Sequence, residues 1–384
     1  MKQRTKIQKL KKALPGIVKD VKHYAKPRVK LHNKGLGDYY TEGYRSLNQR
    51  EWKGVRDTAY DFASWLKVYG YMAVTLGKHP VALTKSFVRY PWMASYLTVA
   101  NMLDRHKLGL RGKQLRYTQE QFYGVVHNSV DVIAKIIERD ENLNSPNNKR
   151  AAKLRAKTVM FDEMTPSIIM AGFPMLDWID IAMSPVCLPG EVDQNANIMY
   201  VDAAERMGLA ADVCPLPSAE VGCAIVDDYP QVGSSFITSS MPCDGSLGAA
   251  LFMDRYMKKL PSFTLTPPQR FNEPETNAYA VKDLKNCIRF IEETYHVKWD
   301  WDAFWEKAEE YNKTTQCMLD KWDVNCTPYS QVIGSALSLQ REYEFQTAAC
   351  LDPFMTKQDE KVTKMMLKGY EKDREADRRD YKYR

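Results

Sequence analysis

Long apolar runs are the first absence in this 384-residue sequence. No stretch of 18 or more uncharged apolar residues occurs, which predicts no membrane-spanning helix. The opening Met1-Lys-Gln-Arg-Thr-Lys-Ile-Gln-Lys-Leu-Lys-Lys lacks the apolar middle of a secretory leader, so the expected location is the cytoplasm. Acids are scarce in residues 1–34, where twelve Lys or Arg face the single Asp20. That arm reads as a solvated basic segment, or as one that lies on a partner subunit or an acidic ligand. No nucleic-acid motif accompanies the charge, so nucleic acid is not expected as a partner.

Motif absences exclude several chemistries. There is no CxxC pair and no Cys/His set with zinc spacing. GxGxxG after a strand, GxxxxGK[ST], GxSxG and HExxH are all missing, so dinucleotide, P-loop, serine-hydrolase and zincin readings have no support. The six histidines are His23, His32, His79, His106, His127 and His296, and none lies between 155 and 265. A histidine acid/base within that block is therefore not expected. A nucleophilic cysteine there would lack its usual base.

What is present divides the chain into three. Residues 1–150 read as a basic arm and a helical extension, with apolar residues at helical spacing over Arg56–Leu76 and Val81–Leu108. Asn142-Leu-Asn-Ser-Pro-Asn-Asn reads as a linker. Residues 151–266 alternate strand-like and helix-like runs, which predicts a parallel-sheet, Rossmann-like α/β domain. Its expected strands are 157–161, 210–213, 234–239 and 263–265. Short helices are expected at 166–172, 200–208 and 245–260, with Ser218 capping a further one that holds Glu220 in its first turn. Residues 267–384 read as a crossing loop to 277, then helices at 277–295, 301–322 and 330–350 and a charged helical tail from 356.

Chemistry points to cysteine. Cys214 lies in Cys-Pro-Leu-Pro-Ser-Ala-Glu-Val-Gly-Cys-Ala and Cys243 in Ser-Ser-Met-Pro-Cys-Asp-Gly. Each reads as the end of a strand followed at once by a helix, where α/β sheets carry their chemistry. Thiolate is the soft ligand that iron–sulfur clusters require; two buried, inert thiols are the other reading. Cys223, Cys287 and Cys317 read as packing residues.

The ordered set Pro166-x-x-x-x-Ala-Gly-Phe-Pro174, Cys214-Pro with Gly222 eight residues on, and Cys243-Asp244 opening a helix resembles the activator-dependent 2-hydroxyacyl-CoA dehydratases. That family includes the related benzoyl-CoA reductase subunits. The resemblance spans about 155–345, with Asn312 midway along a following helix, and covers the first lobe of the family pattern only.

The resemblance implies a lyase or low-potential acyl-CoA reductase that uses a [4Fe–4S] cluster for one-electron, radical chemistry on a thioester. It also implies a sister subunit and an ATP-dependent iron–sulfur activator as partners. Cys214 and Cys243 would then be two of three cluster ligands. The third has Cys187, in Pro185-Val-Cys-Leu-Pro-Gly, as first candidate and Cys350 as second, a partner-chain ligand being the alternative. The family's acids after the early Pro are replaced by Ser167 and Ile168. A non-catalytic scaffold subunit without a complete cluster is the alternative function.

Overall fold

The computed structural model describes residues 50–379, apart from 106–107, 163–165, 182, 193–196, 241–243, 257–259, 269–272, 335 and 338–351. The basic arm, most of the expected 330–350 helix, Cys243 and Cys350 lie outside the described residues.

Helix α1 (Val55–Leu76) and helix α2 (Pro80–Arg89) lead into a 3-10 run, Pro91–Asn101. The expected continuous helix over Val81–Leu108 is therefore broken. Pro91 disfavours helical backbone in the residue before it, and Tyr90 is extended at φ −122°, ψ 98°. Helix α3 (Gly112–Arg139) and helix α4 (Lys149–Arg155) follow, with Asn148 accepting from Ala151 N as the cap of α4.

The α/β part then runs β1 (Thr158–Phe161), a 3-10 turn at Ser167–Gly172, and β2 (Asp177–Asp180). A π-turn, Met183–Cys187, enters the short helix Leu188–Val192; next come α5 (Ile198–Arg206) and α6 (Pro215–Ile225). Strand β3 (Ser235–Ser239), α7 (Asp244–Tyr256) and β4 (Ser262–Leu265) complete it. Long helices α8 (Pro274–Tyr295), α9 (Trp301–Asn325) and α10 (Pro353–Glu375) close the described chain. Asp300 caps α9 by accepting from Asp302 N and Ala303 N. No helix among the described residues is long and apolar enough to cross a membrane.

The four strands form one parallel sheet in the order β2-β1-β3-β4. The expected α/β class with flanking helices holds. β1 and β3 are buried along their whole length, as strands covered on both faces should be. Alternate residues serve opposite faces. Met160, Ile179 and Phe236 join a core shared with α1, α3, α5, α6 and α7. Val159, Phe161, Ile237 and Leu265 join a second core beneath Cys287 and Ile291 of α8. The N-terminal helices thus share their hydrophobic core with one face of the sheet.

Two expectations about strands need correction. Residues 210–213 are a turn, because α5 and α6 form a helical hairpin that leaves that segment no strand to pair with. Strand β2 was not expected from its sequence, Asp-Trp-Ile-Asp. Its leading acid is neutralised from α3: Lys135 Nζ donates to Asp177 Oδ1 at 3.0 Å, and Arg139 to Asp177 Oδ2. Burial raises the Asp177 carboxyl, yet Lys135 and Arg139 hold it below the usual carboxylate range. The expected crossing loop over 267–277 is also shorter than read, since α8 starts at Pro274.

Candidate functional site

Strand order reverses between β1 and β3, so the carboxyl ends of those strands form the switch point where open α/β sheets take ligands. Asp162 follows β1 directly and donates its N–H to the Ile237 carbonyl at 3.0 Å. Asp180 ends β2 opposite Phe161. Both acids are buried.

Helix α6 runs back against the sheet and turns Glu220 inward, where it is fully buried. Glu220 lies in the second turn of α6, not the first. The Tyr229 hydroxyl donates to Glu220 Oε1 at 2.6 Å, while Oε2 has no donor. Oε2 belongs to a carboxyl that meets the Asp162 carboxyl, a pairing that becomes a hydrogen bond when one of the two holds a proton. Burial raises the Glu220 pKa, and the Asp162 and Tyr229 hydrogen bonds oppose that rise. The Tyr229 phenol is held well above its usual value by burial and by the charges of Glu220, Asp162 and Asp180.

The predicted thiols fall into separate environments. Cys214 is exposed and is the N-cap residue of α6, with Pro215 at the first helical position. It follows a turn, not the expected strand, for the reason given above. Ser218 does not cap this helix; its hydroxyl donates back to the Cys214 carbonyl at 3.0 Å. Because α6 runs antiparallel to the strand it feeds, its N-terminus faces the carboxyl end of the sheet. A helix N-terminus favours a thiolate over a thiol.

Cys187 is buried in the π-turn after β2, also on the carboxyl side. Cys243 lies outside the described residues. Cys223 and Cys287 are buried, with burial pushing the Cys223 thiol far up and the Cys287 thiol up to about 12. Both are packing residues, as expected. Burial also raises the half-buried Cys317, and Cys326 is exposed.

Two motif glycines prove to be close-approach sites. A Cβ on Gly172 would lie 2.6 Å from the Trp299 indole, and one on Gly222 would lie 1.7 Å from the Tyr200 carbonyl oxygen. These positions serve the seating of the 3-10 turn on Trp299 and of α6 on α5. The Asp162–Glu220 pair, with Asp180 acting on the same Tyr229 phenol, joins segments far apart in the sequence. Its signal was an acid immediately after the apolar run 158–161, together with Glu220 at an inward helical position.

The family model described as 2-hydroxyglutaryl-CoA dehydratase, D-component, matches residues 192–372. The resemblance read from the sequence is therefore borne out over that stretch, and it points to a dehydratase-type subunit of a multi-subunit enzyme. Cys214 and Cys243 lie inside the match; Cys187 and the Pro166–Pro174 motif lie before it. No curated protein matches the chain.

Proposed function

We propose that this chain is an iron–sulfur subunit of a 2-hydroxyacyl-CoA dehydratase or related acyl-CoA reductase, with Cys214 and Cys243 as two ligands of a [4Fe–4S] cluster. Cys187, Cys350 or a partner residue would supply the third. The single observation that carries the reading is the D-component match over residues 192–372, which contains both cysteines. The donor chemistry supports it: thiolates are what such clusters require, and the Cys214 thiol is exposed at a helix N-terminus on the carboxyl side of the sheet. When bound, the cluster supplies a low-potential electron to a thioester carbonyl.

The chain's own contribution is positioning and proton storage. Pro215 presets the first turn of α6, so the Cys214 backbone is fixed before any ligand binds. Burial raises the Glu220 pKa beside Asp162, near the carboxyl end of β1. Loss of a hydroxyl consumes a proton, and a raised pKa is the direction that suits a carboxyl to supply one. We further propose that an acyl-CoA is the substrate, that a sister subunit and an ATP-hydrolysing activator are the partners, and that the complex works in the cytoplasm.

Anaerobic purification with iron and sulfide analysis tests this. The expected result is about four irons per bound cluster, lost in Cys214→Ser and in Cys243→Ser. A colourless chain that takes up no iron on reconstitution would overturn the cluster assignment and leave a scaffold role in the same complex.

A further inference from the structure

Helix α3 carries His127 and Asp131 one turn apart, and Asp352, the cap of α10, reaches the same spot. One imidazole nitrogen and one oxygen from each carboxylate lie within 4.8 Å of one another. Among the described residues, this is the group of three His, Cys, Asp or Glu side chains with that spacing.

The imidazole is fixed in advance. It is sandwiched between Tyr71, with ring centroids 3.8 Å apart, and Phe354, at 3.7 Å. Tyr123 meets its edge at 6.0 Å. An outer set of donors orients the carboxylates: the Tyr71 hydroxyl donates to Asp131 Oδ1, and Asn128 Nδ2 to Asp352 Oδ2 at 3.3 Å. Asp352 Oδ1 accepts from Phe354 N at 2.9 Å, which completes the cap of α10.

Two polar atoms in this cluster want a partner. His127 Nδ1 is buried with no hydrogen bond, Asp131 Oδ2 standing 3.5 Å away. Asn128 is nine-tenths buried, and its Oδ1 has no donor. We propose that His127, Asp131 and Asp352 form a binding site for one divalent d-block cation that ties α3 to α10.

The donor set narrows the metal. One imidazole and two carboxylates without thiolate suit Mn²⁺, Fe²⁺ or Zn²⁺; Ca²⁺ and Mg²⁺ favour all-oxygen shells, and Cu(I) favours sulfur. Metal–donor bonds of about 2.0–2.2 Å put neighbouring donors about 3.0–3.5 Å apart. Donor atoms within 4.8 Å of one another can draw together to that spacing, which the part-exposed Asp131 side chain allows. Water completes the shell. Tyr71 and Asn128 already stand where outer-shell partners of metal ligands stand.

Charge supports the same conclusion. Burial lowers the His127 pKa, with Lys67 acting in the same direction against Asp131 and Asp352. Burial raises Asp131, with Asp352 adding to the rise, against the Tyr71 hydrogen bond and the pull of His127 and Lys135. A cation would relieve that carboxyl directly. None of this depends on the iron–sulfur reading, because the site uses no cysteine.

Manganese is the probe, because it avoids thiolates. The full chain, passed over a chelating resin, is titrated with Mn²⁺ while the EPR signal of the free aqua ion is followed. Wild type should remove one equivalent, and its melting temperature should rise with Mn²⁺. His127→Gln and Asp352→Asn should each weaken binding at least about tenfold. Asn keeps the cap of α10, so Asp352→Asn should fold normally. Cys214→Ser should bind like wild type. A wild-type chain that leaves the free signal unchanged, or variants that titrate like wild type, would overturn the proposal.

Discussion

The two ends of the sheet treat buried acids in opposite ways. At the amino end, Asp228 Oδ1 accepts from Arg89 at 3.0 Å and Oδ2 from the Tyr200 hydroxyl at 3.2 Å. Asp140 accepts from Tyr90, from Asn142 N at 3.2 Å and from Gln231 N at 3.1 Å. At the carboxyl end, Glu220 receives the Tyr229 hydroxyl and otherwise meets the Asp162 carboxyl. Among the described residues, no Lys or Arg forms an ion pair with Glu220. One end is closed by donors and a cation. The other carries an acid with no cation beside it, its pKa raised by burial, next to the switch point.

A fully buried ion pair sets the scale for breaking compensated charge. Lys321 Nζ lies 2.7 Å from Asp359 Oδ1, joining α9 to α10 with both side chains shut off from solvent. Lys321→Met removes the cation from beside this buried carboxylate and should cost about 3–5 kcal/mol in chemical denaturation. The double change Lys321→Met with Asp359→Leu should recover most of that loss, because no charge remains to desolvate. A single variant as stable as wild type would mean that compensation contributes little in this protein.

The second prediction tests the closed end. Burial raises the Asp140 pKa from the usual 3.8 to about 6, against the opposing hydrogen bonds and Arg89. Between those values the folded chain binds the proton and the unfolded chain does not. Stability from this group is present below about pH 4 and is lost as pH rises to about 6, amounting to about 3 kcal/mol. Asp140→Asn keeps an acceptor for the Asn142 and Gln231 amides but cannot ionise. Its unfolding free energy should therefore lack that fall, measured against wild type across the same range.

The same contrast explains what could be read from sequence. Strands β1, β3 and β4 were legible because β-branched and aromatic residues run through them and turn residues bound them. Strand β2 was not, because Asp177 and Asp180 bracket it and the neutralising Lys135 and Arg139 lie far earlier in the chain. The break at Tyr90–Pro91 was legible in principle, since Pro91 restricts its neighbour. His127 and Asp131 share one helix face by spacing, but Asp352 joins them only through the packing of α10 on α3. Cys214 stands out by its residue type and its prolines, whereas the segment ahead of it, 210–213, is a turn and not the expected strand. Pairings between distant segments, which create both the acid cluster and the His–Asp group, leave no local periodicity.

The last prediction concerns the open end. Burial raises the Glu220 pKa, so its contribution has the same sign as that of Asp140: stability is lost as pH climbs from the unfolded value through the folded one. Glu220→Gln retains an acceptor for the Tyr229 hydroxyl and can donate an N–H to Asp162, which replaces the shared proton permanently. At acid pH the variant should match wild type, because both then present a donor between the two groups. At pH 8 it should be the more stable of the two, the margin opening as pH rises from the unfolded value through the folded one. Equal stability at pH 8 would show that Glu220 is compensated as fully as Asp228, and the two ends would then differ in position only.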